Sequence, residues 1–242
     1  MAPRKTKTQL NEASLKRRWY TPGDIAAYSG FQPLKKASKL PSKTVRDWLK
    51  GQEAYTLHRS IKRRFPRRRV IVRGIDDQWQ ADLLDVSKVA VDNDGIRFLL
   101  TCIDVFSKFA WVVPLINKSA DEVVKGFKVI FQQTFRRPRK LHTDKGSEFT
   151  NKDVKRLFKS QGIHYFHTEN DEMKASIAER FNRTIKSKIW RFLRARHTHR
   201  YIDLLPKFVT SYNKSFHRSI GMAPNGTNGN NFKCFIVRLD FQ

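Results

Sequence analysis

Hydrophobic and polar positions follow two different rhythms along this chain, and the rhythm changes near residue 75. Before that point the patterns are short and helical, most clearly over residues 42–52, where Val45, Trp48 and Leu49 share one face. After it, apolar runs typical of strands occur in close succession, at residues 78–88, 97–103 and 109–116. The sequence therefore predicts a small helical segment followed by a sheet-forming domain.

The rest of the chain alternates between helical and strand patterns. Helices are predicted at residues 119–135, 151–161, 175–195 and about 200–214, with short strands at 139–143 and 163–167. In the long helix one apolar stripe is formed by Ile177, Phe181, Ile185 and Ile189. Three sequential strands followed by this alternation predict an α/β fold with a mixed five-stranded sheet flanked by helices.

These patterns divide the chain into four parts. We expect a disordered basic tail over residues 1–20, a small helical basic segment and linker over 21–74, a folded core over 75–224, and an irregular C-terminal tail over 225–242. A chain of 242 residues has room for one well-cored domain and a small appendage.

Charge is the second strong feature of the sequence. The chain has 49 Lys and Arg against 22 Asp and Glu, a formal net charge of +27, and residues 1–74 contribute +16 of it. Seven basic residues fall in one run, at Lys62, Arg63, Arg64, Arg67, Arg68, Arg69 and Arg73. The density of the run favours contact with nucleic-acid phosphates. A nuclear-import signal or a solvated charged face is the alternative.

Other classes of protein are disfavoured by what the sequence lacks. Cys102 and Cys234 stand far apart with no CxxC pairing, so neither a disulfide framework nor a zinc cluster is indicated. The apolar runs are shorter than the ~20 residues that cross a bilayer. We expect an intracellular, soluble protein that acts in the nucleus and has no membrane partner.

Three carboxylates are the candidate catalytic residues. Asp82 lies among apolar neighbours in the first predicted strand. Asp144 directly follows the fourth predicted strand, at residues 139–143, and Glu179 lies on the long helix. Burying an acid among apolar residues is costly unless it binds something. Carboxylates at one sheet edge can hold Mg²⁺ or Mn²⁺, and two such ions support in-line phosphoryl transfer.

Each acid also has an ordinary structural interpretation. Asp82 stands near three other acids, each of which could be an ordinary surface charge, namely Asp76, Asp77 and Asp85. Asp144 could cap a turn or helix, and Glu179 could pair with Arg183 four residues later for about 0.3–0.5 kcal/mol. Singly the acids are weak evidence, and together they are strong.

Several motifs resemble the catalytic core of retroviral-type integrases. These are WQADLLDV, DVFSKFAWVVPL, HTDKGSEF and the helix that contains Glu179, and the resemblance is greatest to the integrases of Polinton (Maverick) transposons. It implies a ribonuclease-H-like fold, with Asp82, Asp144 and Glu179 as the acids that bind two Mg²⁺ or Mn²⁺ ions. It also implies 3′-end processing and strand transfer on double-stranded DNA by a homo-oligomer, with Arg183 and Lys186 contacting donor DNA.

The sequence departs from the retroviral pattern in three respects. Asp144 and Glu179 are separated by 34 residues, one fewer than in that pattern. The histidine–cysteine zinc module is absent, and we expect no folded module after Pro224, as in a shortened transposon copy. Two alternatives therefore remain: a simple metal-dependent nuclease, and a domesticated or decayed DNA-binding protein without joining activity.

Overall fold

The computed structural model of this chain describes residues 6–57, 70–134, 136–167 and 175–227. The chain forms two compact units. One comprises Met1–Arg64 with Ile185–Ser215, and the other comprises Phe65–Thr184 with Phe216–Gln242. We call them the helical unit and the sheet unit.

The sheet unit is built on the five strands that the hydrophobic patterns predict. They are β1 (Gln78–Asp85), β2 (Phe98–Asp104), β3 (Ala110–Leu115), β4 (Lys140–Thr143) and β5 (His164–His167). Their order in the sheet is β3-β2-β1-β4-β5, antiparallel on the β3 side of β1 and parallel on the β5 side. The prediction of a mixed five-stranded α/β sheet is confirmed.

Helices cover this sheet and close its core. The sheet unit contains α5 (Ala120–Thr134), α6 (Ser147–Thr150) and α7 (Lys152–Ser160). Their apolar faces pack on the sheet, with Phe127 and Phe158 edge-to-face at 4.9 Å between ring centroids. On β1 the buried Trp79 packs against Trp111 at 4.4 Å. The amino-terminal part of β1 is thereby packed into the core.

A buried ion network fixes the turn between β2 and β3. Asp104 is fully buried and accepts hydrogen bonds from the backbone N–H groups of Phe106 and Ser107. The Arg136 guanidinium bridges Asp104 at 3.0 Å and Asp76 at 2.7 Å. Burial raises the pKa of Asp104, whereas the hydrogen bond from Ser107 and the charge of Arg136 lower it. Asp104 therefore depends on the charge of Arg136 to remain ionised in this buried position.

The helical unit contains five helices and part of a sixth within the described residues. They are α1 (Lys7–Tyr20), α2 (Phe31–Ser38), α3 (Ser42–Lys50), α4 (Glu53–Thr56), α9 (Leu205–Lys214) and the second half of α8 (Ser176–Arg196). An aromatic cluster forms its core, in which Tyr28 contacts Trp19, Phe192 and Phe208 at 5.3–6.2 Å. No helix in the described ranges is long and apolar enough to cross a membrane.

The N-terminal residues differ from the disordered tail predicted over 1–20. Residues from Lys7 to Tyr20 form α1, which Thr6 and Gln9 start with a reciprocal capping box. Leu15 and Trp19, four residues apart, are completely buried. The basic composition concealed this one-turn apolar spacing, so the prediction of disorder is wrong for the described part of this segment.

The boundary predicted for the core also differs from the structure. Residues 185–215, which we placed in a 75–224 core, cluster with the N-terminal helices. The reason is a set of hydrogen bonds: Lys188 and Arg191 donate to the carbonyls of Ala27 and Tyr28 at 2.7 and 2.8 Å. Ser211 donates to the carbonyl of Asp24 at 2.6 Å. Of the tail predicted over 225–242, residues 228–242 lie outside the described residues.

Candidate active site

Asp82 and Asp144 lie on neighbouring parallel strands. Asp82 is within β1 and Asp144 directly follows β4, and the register of the two strands pairs Gln80 with His142. Asp82 and Asp144 each follow this pair by two residues, and the Asp144 carboxylate is near enough to raise the pKa of Asp82. Because side chains alternate between faces along a strand, both acids lie on the face where the side chains of Gln80 and His142 meet at 3.4 Å.

The third acid, Glu179, lies near the start of the long helix on this face of the sheet. Glu179 lies in the first turn of α8, and its N–H bonds to the carbonyl of Ala175 at 2.9 Å. The buried side-chain oxygen of Gln80 accepts hydrogen bonds from the N–H groups of Ile177 and Ala178, at 2.9 and 3.1 Å. One strand side chain thus satisfies two of the N–H groups that a helix start leaves open, and it ties that start to β1.

Asn182 connects the helix to the first acid. It lies one turn after Glu179, is buried, and donates its side-chain N–H to Asp82 Oδ2 at 2.7 Å. Asp82 Oδ1 accepts from the N–H of Leu83 at 2.8 Å. Within the described part of the chain, Asn182 Oδ1 is buried without a hydrogen-bond partner. A buried polar atom without a hydrogen-bond partner is typical of a site that binds a further group.

Sequence reasoning missed both Gln80 and Asn182. A polar residue inside the buried run around Asp82 was the available signal for Gln80, since a buried amide needs partners. No local pattern marked Asn182, because its partner lies 100 residues away in the chain.

The three acids share one electrostatic environment. Burial, together with the nearby Asp144 and Glu179 carboxylates, raises the pKa of Asp82 to about 6, against the opposing hydrogen bonds from Leu83 and Asn182. Asp144 Oδ1 accepts from the N–H of Ala175 at 3.2 Å. Negative charge is therefore concentrated where β1, β4 and α8 meet.

This donor set suits a hard divalent cation. Carboxylate oxygens are the ligands that Mg²⁺ and Mn²⁺ prefer, and the repulsion among the three acids is relieved by a cation. As they stand, the described residues include no group of three or more His, Cys, Asp or Glu side chains close enough together to hold a metal ion. Asp82 and Asp144 instead face protein donors, Asn182 and the N–H of Ala175.

The predicted DNA-binding residues divide into two groups. Arg183 and Lys186 are exposed on α8, with Lys186 Nζ 6.0 Å from the centre of the Trp190 ring. The residues of the basic run lie outside the described residues, namely Lys62, Arg63, Arg64, Arg67, Arg68 and Arg69.

Replacing Gln80 with Leu should weaken the whole arrangement. Leu has a similar volume but leaves two buried N–H groups of α8 unpaired, at about 1–3 kcal/mol each. We expect the free energy of unfolding to fall by about 2–6 kcal/mol, with faster amide exchange at Ile177 and Ala178. The matched control is Gln132→Leu, an exposed position on α5. Equal effects of the two substitutions would contradict this role for Gln80.

Comparison with known proteins agrees with this geometry. Residues 75–170 match the family model described as integrase core domain. The chain is 34% identical over 139 residues to a transposon-derived protein of Caenorhabditis elegans, a match that covers 57% of this chain and 48% of that protein. It is 31% identical over 105 residues to the retrovirus-related Pol polyprotein from transposon TNT 1-94 of Nicotiana tabacum, covering 41% of this chain and 8% of the polyprotein.

A solved structure shares the fold. The HTLV-2 integrase catalytic core domain, determined in complex with magnesium in a trimeric form, superposes with a TM-score of 0.51 at 17% identity. The match covers 62% of this chain and 95% of that domain. The sheet unit therefore has the fold of an integrase catalytic core. This chain spans about half the length of the worm relative and a small part of the tobacco polyprotein.

Proposed function

We propose that this chain is a transposon-derived integrase that processes DNA 3′ ends and joins them to target DNA. The observation that supports this most strongly is that Asp144 and Glu179 both lie near enough to Asp82 to raise its pKa, on a sheet of the integrase type. Asp82 lies in β1, Asp144 directly follows the neighbouring strand β4, and Glu179 lies in the first turn of the helix that Gln80 and Asn182 tie to β1. Kinship with the integrases of Polinton transposons is part of the same proposal.

The reaction requires two in-line displacements at phosphorus. Water attacks first, breaks a P–O3′ bond and frees a 3′-hydroxyl on the element DNA. That hydroxyl then attacks a phosphodiester of the target, forms the new P–O bond and releases a 3′-hydroxyl of the target strand. Asp82, Asp144 and Glu179 would hold two Mg²⁺ or Mn²⁺ ions, which when bound stabilise charge on the attacking and leaving oxygens. Asn182 orients Asp82, and Gln80 fixes the helix start that presents Glu179.

Positive charge would hold the DNA near these acids. Arg183 and Lys186 follow Glu179 at one-turn and two-turn distance on α8 and are both exposed. We infer that they contact phosphates of the donor duplex, and that the basic run from Lys62 to Arg69 adds phosphate contacts. Activity in the nucleus and assembly of a homo-oligomer on DNA belong to this proposal.

The basic run should contribute to DNA affinity through contacts with phosphates, without preference for a base sequence. We expect replacement of Arg67, Arg68 and Arg69 with Gln to weaken binding to all sequences alike. Each lost phosphate contact lowers the slope of log K against log salt by about 0.9, so three contacts lower it by about 2.7. Fluorescence anisotropy of a labelled duplex across a salt series measures this slope.

A charge-matched variant provides the control for the basic run. Lys88, Lys128 and Lys152 are exposed in the sheet unit, and their replacement with Gln removes the same charge. The proposal fails for the run if both triple variants give the same slope, since net charge alone would then explain the binding.

Divalent cations should stabilise the fold if the acids bind them. At ten times its dissociation constant, a ligand bound only to the folded state adds about 1.4 kcal/mol, or about 3 °C in the unfolding midpoint. We expect Mg²⁺ to raise the midpoint of the wild-type chain and not that of Asp144→Asn. Asp153→Asn removes a carboxylate from an exposed position on α7 and should keep the full shift. No shift in the wild type would contradict the metal assignment.

A second candidate function is DNA binding without joining. The hydrogen bonds of Asp82 to Asn182 and of Asp144 to Ala175 favour it, because they hold these carboxylates away from a common ligand group. Incubation with supercoiled plasmid and oligonucleotides from the element ends separates the candidates. An integrase yields joined product, a simple nuclease yields cleavage alone, and a DNA-binding protein yields neither.

A further inference from the structure

A helix–turn–helix lies in the helical unit, apart from the acids of the sheet unit. α2 ends at Ser38 and α3 begins at Ser42, so three residues connect them. Lys39 starts this turn in the left-handed conformation, with φ 57°, and its N–H bonds to the carbonyl of Lys35 at 3.0 Å. α1 packs against both α2 and α3. Two helices joined by so short a turn and supported by a third have the connectivity of DNA-reading helix–turn–helix modules.

The inner faces of these helices fix the arrangement. Leu34 of α2, Val45 and Leu49 of α3 and Leu15 of α1 are all buried to within 1%. The Trp48 ring is partly covered and packs edge-on against Trp19 at 5.8 Å. Within the described residues α3 packs through one face, and Lys43, Arg46, Asp47 and Lys50 on its other face are exposed.

The outer faces of both helices are basic. On α2 and the turn, exposed positions recur at helical spacing at Gln32, Lys35, Lys36 and Lys39, and on α3 at Lys43, Arg46, Asp47 and Lys50. Residues 31–50 thus expose six cations against one acid, Asp47. The Arg46 guanidinium lies 4.7 Å from the centre of the Phe31 ring, which holds its side chain across the start of α2.

We propose that α3 enters the major groove of duplex DNA, with Lys43 and Arg46 directed at base edges and the α2 lysines at phosphates. The N-terminal residues of the second helix are those that reach bases in this motif, and Arg is the side chain that pairs with guanine O6 and N7. A single-stranded partner is disfavoured because the two aromatic rings of residues 31–50, Phe31 and Trp48, are partly covered, one by Arg46 and the other by Trp19.

This surface would give the chain a sequence-reading element separate from the acids. It shares with the proposed function only the partner, duplex DNA. Measurements of DNA binding decide it, whether or not the chain joins DNA. Phosphodiester chemistry in the sheet unit needs no base-specific contact, whereas choosing element ends does.

The test compares two charge-matched triple variants of the full chain. One replaces Lys43, Arg46 and Lys50 on α3 with Ala, and the other replaces Lys16, Lys207 and Lys214, which are exposed on α1 and α9. All six side chains are exposed, so both variants should fold, as circular dichroism and the unfolding midpoint would verify. Anisotropy is measured on a random-sequence duplex and on duplexes enriched by repeated selection with the wild type.

We expect the α3 variant to lose at least tenfold affinity for the enriched duplexes and most of its preference over random DNA. The control variant should lose affinity for both duplexes alike. Methylation of guanine N7 in the enriched duplex should block the wild type, since that atom lies in the major groove. Equal losses in the two variants, or binding unaffected by methylation, would overturn the proposal.

Two further outcomes identify other roles for the surface. If the α3 variant changes oligomeric state in sedimentation and not DNA affinity, the surface joins copies of this chain and the proposal is wrong. A chain that prefers its selected duplexes but joins no DNA would contradict the proposed function while leaving this one standing.

Discussion

Asp144→Asn should abolish strand transfer while leaving DNA binding within about twofold of the wild type. Asn keeps an Oδ1 atom that can accept the N–H of Ala175, so the local fold is preserved. It removes the negative charge that a divalent cation needs, and a loss of about 4 kcal/mol in transition-state stabilisation lowers the rate about 1000-fold. Joining of labelled element ends to a supercoiled plasmid measures the effect.

The control for this substitution is Asp153→Asn on α7. It makes the same change of charge at an exposed acid that pairs with Arg156, and it should leave joining intact. Full joining activity in Asp144→Asn would show that the site assignment is wrong.

Arg136→Met should destabilise the fold by about 3 kcal/mol at pH 7. The substitution leaves the fully buried Asp104 without its cation, and removing one partner of a buried ion pair costs about 3–5 kcal/mol. The lower end applies because the Arg136 side chain is 28% exposed. The neighbouring Arg137 binds Gln161 and backbone carbonyls and lies over the Phe131 ring, but it is paired with no buried acid among the described residues, so Arg137→Met is a matched control with a smaller expected cost.

The deficit of Arg136→Met should shrink as the pH falls. The pKa of Asp104 is raised in the folded state above its ordinary value of 3.8, so the folded state binds this proton more readily than the unfolded state. Protonation removes the unpaired charge, and the variant and the wild type should therefore converge as the pH falls through the folded-state pKa. Urea unfolding between pH 7 and pH 4 measures this. A loss of stability that does not change with pH would show that the effect of Arg136→Met comes from lost packing and not from the charge of Asp104.

Local patterns were sufficient to predict the sheet unit. Each strand and the α8 stripe from Ile177 to Ile189 follows from residues close together in sequence, and all four stripe residues are buried. Asp82 was selected by its apolar neighbours within a strand, Asp144 by its place at a strand end, and Glu179 by its place on that helix. The β1–β4 register then explains why the first two acids lie near each other.

What the sequence did not reveal depends on contacts between distant residues. Gln80 and Asn182 act through partners about 100 positions away, which no periodicity reports. The N-terminal helix was mistaken for a disordered tail because its two buried residues, Leu15 and Trp19, stand among basic ones. The division of α8 between two units depends on Lys188, whose buried ammonium group binds Ala27 and Ser211.

The 3′ terminus of the donor DNA tests the central proposal most directly. Two element-end duplexes, one ending in a 3′-hydroxyl and one in a 3′-deoxy terminus, are incubated with wild-type chain, Mg²⁺ and supercoiled plasmid. An integrase that uses the DNA hydroxyl as its nucleophile yields joined product with the first duplex alone, and Glu179→Gln yields none with either. Plasmid cleavage of equal extent with both duplexes, without any joined donor, would contradict the proposal and identify a nuclease for which water is the nucleophile.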